Sequence, residues 1–170
     1  MVESSLGIND KINQLEKIMG YKFECKNLLF RALMRKDVLN SPKNTTALSF
    51  FRTIEKIAEI GHQEALETLG DSVLYVRVLE KYVKNDKVMS KDFASFIKEK
   101  FGGNTRLHHC ASRHNLEEYI FWGKTEKNSK IWNDGTILAD CLEALVGAVY
   151  LDGGMENVRV VLNALNICNI

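Results

Sequence analysis

An all-α fold is what this sequence predicts, and three observations carry the expectation. Apolar residues recur at three- and four-residue spacing, the segments that hold them are rich in helix formers, and proline occurs once, at Pro42. A length of 170 residues suits one domain with a sizeable core, and 45% hydrophobic with 26% charged residues excludes a disordered chain.

Taken in order, "INQLEKIMGYKF" places Ile12, Leu15 and Ile18 or Met19 on one face and stops at Gly20, which predicts a first helix. "CKNLLFRALMR" predicts a second, short helix, and the polar "LNSPKNTT" a loop. "ALSFFRTIEKIAEIG" returns to helical spacing through Leu48, Phe51, Ile54 and Ile57 or Ala58, with Gly61 as its stop. A long helix is expected from about Gln63 to Lys84; Gly70 inside it weakens it by about 1 kcal/mol relative to alanine, which suggests a close backbone approach there. "SKDFASFIKEKF" predicts a helix with Ser90 as N-cap, ended by Gly102 and Gly103. "NTRLHHCASRHNLEEYIF" reads as one or two helices, and the polar "GKTEKNSKIWNDG" as a mobile segment. The apolar "ADCLEALVGAVYLDGG" closes at Gly153 and Gly154, and "ENVRVVLNALNI" forms the final helix. No internal repeat or low-complexity segment interrupts the pattern.

Lys and Arg total 23 against 22 for Asp and Glu, so any nucleic-acid contact must rest on a local basic face. Cys25, Cys110, Cys141 and Cys168 are scattered and form no C-x-x-C pair, which predicts reduced cysteines in an intracellular protein. Nothing approaches a membrane span of ~18 apolar residues, and "MVESSLGINDK" lacks a secretory pattern, so a cytoplasmic or nuclear location is expected.

Carboxylates carry the chemistry. Glu64, Glu67 and Asp71 are spaced i, i+3, i+7 on the long helix and share a face; Asp140 and Glu143, three apart, share another. Like charges on one face weaken a helix by a few tenths of a kcal/mol per pair, and the neighbours Leu66, Leu69, Leu142 and Leu145 deny them water. From Ile137 to Leu151 no other charge appears. A basic side chain, a capping role or a bound cation could compensate Asp140 and Glu143. An oxygen-only donor set suits Mg²⁺, or Mn²⁺ in its place, better than zinc. Small residues Ala139, Ala144, Gly147 and Ala148 imply that another helix packs closely on this one.

These residues also carry a resemblance. "EALETLGDSVL" resembles the ribonuclease III signature, Glu-x-Leu-Glu-x-Leu-Gly-Asp-Ser, and "ADCLEALVGAVYLDGG" is similar to that family's second acidic motif. Between them, Asn104, Leu107, Ala111, Leu116 and Tyr119 match the family's Asn-x-x-Leu helix and Leu-x-x-Tyr-Ile turn, and the similarity covers about residues 12 to 165.

The resemblance implies the all-α ribonuclease III endonuclease domain fold over residues 11–168, behind an N-terminal extension at 1–10. It implies a homodimer that cuts double-stranded RNA to 5′-phosphate and 3′-hydroxyl ends with short 3′ overhangs. Glu67, Asp71, Asp140 and Glu143 would be the metal-binding catalytic set, with Glu64 an auxiliary acid at the cleft. Glu143, in the most apolar setting, is the strongest candidate among them.

Departures from the family pattern are equally specific. Thr68 stands where relatives carry an aromatic residue that packs into the partner subunit, and "ALMRKDV", Ala32 to Val38, lacks the family's His and Ser. The stretch 40–61 is longer than the usual connector and predicts an extra helical insertion. No double-stranded-RNA-binding domain is expected after the nuclease domain, which leaves RNA contact to Lys91, Lys98, Lys100, Asn104 and Arg106, to Lys124, Lys127 and Lys130, or to a separate RNA-binding protein. "HHCASRH" lacks enough ligands for zinc, Trp122 and Trp132 are expected to pack rather than to stack on RNA, and Asp152 is expected at a helix end. A non-catalytic RNA-binding or ribosome-associated protein on the same fold is the alternative, and the four retained acids favour the enzyme.

Overall fold

The computed structural model describes residues 7–84 and 103–167, and among these no β-strand occurs beyond a single isolated bridge. The helix expected at "SKDFASFIKEKF" lies outside the described residues, as do Lys91, Lys98, Lys100 and Cys168.

Helix α1 (Ile8–Met19) buries Ile12, Leu15 and Met19 and ends at Gly20, whose left-handed φ of 63° suits glycine. Helix α2 (Lys26–Ala32) stops three residues short of the predicted end. Met34 instead forms a parallel bridge with Phe121, and its carbonyl accepts the Gln63 N–H at 3.0 Å. These backbone pairings outcompete the helix. A further short helix, α3 (Lys36–Asn40), follows.

The insertion is helical, as expected, but it is two helices rather than one: α4 (Thr46–Phe51) and α5 (Ile54–Ile60). Arg52 takes a left-handed φ of 67°, and Thr53 restarts the chain by accepting the Lys56 N–H at 3.2 Å. Phe50 and Phe51 of α4 dock this unit edge-on to Phe30 of α2, with both ring centroids at 5.3 Å.

Helix α6 (Glu64–Lys84) is the long central helix, and α7 (Asn104–Arg113) and a 3₁₀ turn at Leu116–Glu118 follow the undescribed stretch. The polar segment expected to be mobile is structured instead, as α8 (Lys124–Ser129) and a 3₁₀ turn at Ile131–Asn133. Glu126 explains the difference, since it turns inward from an otherwise exposed helix. Trp122 and Trp132 pack on each other at 5.1 Å, and the Trp122 indole donates to the Glu117 carbonyl.

Helix α9 (Ile137–Ala164) contains the apolar motif and the final helix, separated at Gly154 by a non-helical φ of 75°. Asp152, before that kink, accepts from Tyr21 Oη and from the backbone N–H groups of Glu24 and Cys25, each at 2.8 Å. It therefore anchors the start of α2. Burial raises the Asp152 pKa, but these donors outweigh it and hold the carboxyl below its ordinary value.

Among the described elements, helices α6 and α9 make the largest contact. A Cβ on Gly70 would lie 1.8 Å from the Glu143 carbonyl oxygen, and one on Gly147 would lie 2.2 Å from that of Leu66. Glycine is obligatory at both crossings. Because Gly70 meets Glu143 while Leu66 meets Gly147, the helices run antiparallel. Of the cysteines, Cys110 and Cys141 are buried and Cys25 is exposed. No helix among the described residues is long and apolar enough to cross a membrane.

Candidate metal centre

The backbone contact at Gly70 sets the site. By bringing α6 against the carbonyl of Glu143, it turns the acid-bearing faces of two helices toward each other. Carboxylate oxygens of Glu67, Asp140 and Glu143 all lie within 4.8 Å of one another. Glu143 is only 7% exposed, whereas Glu67 and Asp140 are half-buried.

Their electrostatics follow from that crowding. Burial raises the Glu67 pKa, the Asp140 and Glu64 charges raise it further, and Arg35 opposes them. Burial likewise raises that of Asp140, with Arg35 opposing and Asp134 reinforcing the shift. An oxygen-only set, packed tightly enough for its charges to penalise one another, fits a hard divalent cation.

Not every predicted acid is in this group. Asp71 is half-buried one turn beyond Glu67, outside the three whose oxygens converge. Glu64 is exposed and pairs with Lys36 of α3 at 3.1 Å, with His62 Nδ1 3.7 Å away. Among the RNA-contact candidates, Asn104 is exposed and Arg106 half-buried in the first turn of α7, while Lys98 and Lys100 fall outside the described residues. Lys124, Lys127 and Lys130 are exposed on and just after α8.

At the start of α6 lies a polar network that sequence reasoning missed. Arg35 donates through Nε and Nη2 to Glu126 Oε1 at 2.9 and 2.8 Å, with both side chains mostly buried. Gln63, buried at the start of α6, donates its amide to the Ala32 carbonyl at 3.2 Å and accepts from Arg35 Nη1 at 2.9 Å. The backbone carbonyl of Gln63 in turn accepts the N–H groups of Leu66 and Glu67. Burial works against the charge on Arg35, but the bond to Glu126 and the surrounding acids raise its pKa above the ordinary value. A weak signal was present. Glu126 stands three residues after Gly123, whose N–H it accepts at 3.4 Å, in the spacing of a helix-start carboxylate.

The Ribonuclease-III-like family model matches residues 46–167. Similar curated proteins include Ribonuclease 3 of Caldanaerobacter subterraneus, 35% identical over 89% of this chain and 60% of its own length. Ribonuclease 3 of Campylobacter fetus is 33% identical over 88% of this chain and 59% of its own. The chain thus spans about 60% of the length of these relatives. A solved nuclease domain of ribonuclease III from Campylobacter jejuni, described for flexibility in its dimer-forming region, is similar at a TM-score of 0.74 and 27% identity. That likeness covers 94% of this chain and 99% of the other.

Proposed function

The chain belongs to the ribonuclease III family, and from that premise we propose that it is a metal-dependent endonuclease of double-stranded RNA. One observation carries the reading: three carboxylates from two helices share one small volume, and burial penalises the charges of two of them, Glu67 and Asp140.

Glu67, Asp140 and Glu143 would hold Mg²⁺, or Mn²⁺ in its place, and Asp71, on the same helix face as Glu67, would complete the set. Bound there, such an ion supplies the Lewis acidity that makes water nucleophilic near neutral pH and stabilises a departing 3′ oxygen. The protein's own part is positioning. Gly70 and Gly147 fix the separation of α6 and α9, the apolar wall around Glu143 limits water, and Glu64 at the exposed rim, paired with Lys36, acts as the auxiliary acid.

Products would carry 5′-phosphate and 3′-hydroxyl ends with short 3′ overhangs. Recognition would rest on duplex shape and backbone, through Asn104, Arg106, Lys98 and Lys100. The active form in this reading is a homodimer, with a separate RNA-binding protein as a further partner, working inside the cell. The exposed face of α6 around Thr68 and Val76 is where a second copy would pack, without the aromatic residue found in relatives.

Incubating the protein with long duplex RNA, with and without Mg²⁺, tests this directly. Cleavage by the unsubstituted chain in Mg²⁺, and none by Glu143→Gln, is the expected outcome. Tight binding without cleavage under all conditions would instead support a non-catalytic RNA-binding role.

A further inference from the structure

A cavity of about 300 Å³ opens between α1 and the turn that carries Tyr119 to Trp122. Ile8 and Lys11 of α1, Thr46 at the start of α4, Glu117, Lys127 and Trp132 line it, and none of Glu67, Asp140 and Glu143 does. Its frame is tied down. The Trp122 indole donates to the Glu117 carbonyl at 2.8 Å, and Lys11 Nζ donates to the Glu118 carbonyl at 3.4 Å, which joins α1 to the turn.

Three features of this lining have no use in the metal centre. Glu117 Oε2 is buried with no hydrogen-bond partner among the described residues, which is costly for a carboxylate until a donor reaches it. Lys127 is exposed and has no ion-pair partner among them, whereas Lys11 is engaged by Glu118 Oε2 at 3.7 Å. Trp132 packs on Trp122 yet stays half-buried. Each feature calls for a different part of one ligand. A carboxylate only accepts, so the group that satisfies Glu117 must present N–H donors. An indole suits a planar ring, and an unpaired ammonium suits a phosphate.

A planar ring with adjacent N–H donors along one edge is guanine, through its ring N–H and its exocyclic amine. On the corresponding edge, adenine, cytosine and uracil each set an acceptor beside the donor. A volume at the small end of ligand pockets suits a single nucleotide rather than a strand. We propose that this cavity binds a guanine mononucleotide: the base lies against Trp132, its N–H edge donates to Glu117, and Lys127 holds the phosphate. The site is separate from the metal-dependent reading above and does not rest on it. A duplex keeps its bases paired and stacked, so this ligand is not the strand being cut.

The chain has two tryptophans and both line the cavity, so its tryptophan fluorescence reports on this place alone. Titrating the purified chain with guanosine monophosphate should quench that fluorescence saturably. The adenine, cytosine and uracil mononucleotides should bind on the order of tenfold more weakly. Glu117→Gln, which replaces an acceptor oxygen with a donor, should lower the affinity for guanosine monophosphate by on the order of tenfold and remove the preference for guanine. Lys127→Ala should weaken binding of guanosine monophosphate but leave that of guanosine, which has no phosphate, unchanged.

A cooperative melt of each variant shows that it is folded, and the rise in melting temperature on adding guanosine monophosphate is the second readout, smaller in Glu117→Gln. No saturable quenching, equal affinities for the four mononucleotides, or an affinity unchanged by Glu117→Gln would overturn the proposal. Binding of a single-stranded guanine-containing RNA without binding of guanosine monophosphate would also overturn it, and would give the cavity to an RNA strand. None of these outcomes bears on the metal centre, whose own test is duplex cleavage by Glu143→Gln.

Discussion

Two charged clusters join the same pair of helices, and they are built on opposite principles. Toward the start of α6, Glu67 meets Asp140 and Glu143 of α9 with no cation bonded to Glu67 or Asp140 in the described pairings, and burial drives the pKa values of those two up. Toward its end, Glu80 accepts from Lys84 at 2.6 Å and from Arg159 of α9 at 3.0 Å, while Arg159 also holds Glu156 at 2.7 Å. There the hydrogen bonds from Lys84 and Arg159 pull the Glu80 pKa down to about 2. One cluster is satisfied by the chain itself. The other leaves Glu67 and Asp140 at a deficit, their charges penalised by burial where the two backbones press together at Gly70.

The largest effect should come from closing the gap that creates the deficit. Gly70→Ala drives a Cβ into the Glu143 carbonyl, where only movement of the α9 backbone could relieve the clash. Overpacking a rigid core destabilises by about 1–3 kcal/mol and more when backbone must move, so a loss of about 3 kcal/mol or more is expected by chemical denaturation. Unchanged stability would mean that the helices are not in contact there.

Next in size, Glu143→Gln should separate stability from function. Metal-free stability should change by no more than about 1 kcal/mol, or about 2–4 °C in melting temperature for a chain of this length, while duplex-RNA cleavage falls more than about 100-fold. A drop in both would mark Glu143 as a structural residue.

pH then distinguishes the clusters by sign. Glu67 and Asp140 have folded pKa values above their ordinary ones, so the folded state keeps their protons longer and their ionisation lowers stability as pH rises through that window. The advantage of Glu67→Gln over the unsubstituted chain, measured by melting at pH 7, should shrink as pH falls toward about 4. Glu80 behaves oppositely. Its contribution is fully present above its ordinary value of 4.5 and is lost as pH falls through about 2. The smallest effect should be that of Glu80→Gln at neutral pH. Glu80 and Arg159 are only half-buried and Lys84 is exposed, so the change in melting temperature should be small and should shrink in about 1 M salt.

Much of this was legible in the chain. Glu67 among the i, i+3, i+7 acids, the interior Gly70, and Gly147 in the small-residue stripe of α9 each marked a physical constraint that the crossing realises. Less legible were features held by partners distant in sequence. Helix α2 ends early because Met34 pairs with Phe121 and Gln63, and the segment at 123–133 is ordered because Glu126 reaches Arg35, 91 residues away. No local pattern encodes either contact. The break inside the insertion at Arg52 was also missed, since apolar spacing runs on across it and only the left-handed residue and the Thr53 cap interrupt the helix.

By itself, the sequence determined that this chain is all-helical, belongs to the ribonuclease III family, and places its acids on two helix faces. Periodicity and residue type are local properties, and helices answer to them directly. Only the tertiary structure decided that Glu67, Asp140 and Glu143 converge, that Asp71 and Glu64 stand outside that group, and that Arg35 is clamped by Glu126. Those outcomes depend on how closely two backbones approach and on where a buried charge finds its partner, which are properties of the packed whole.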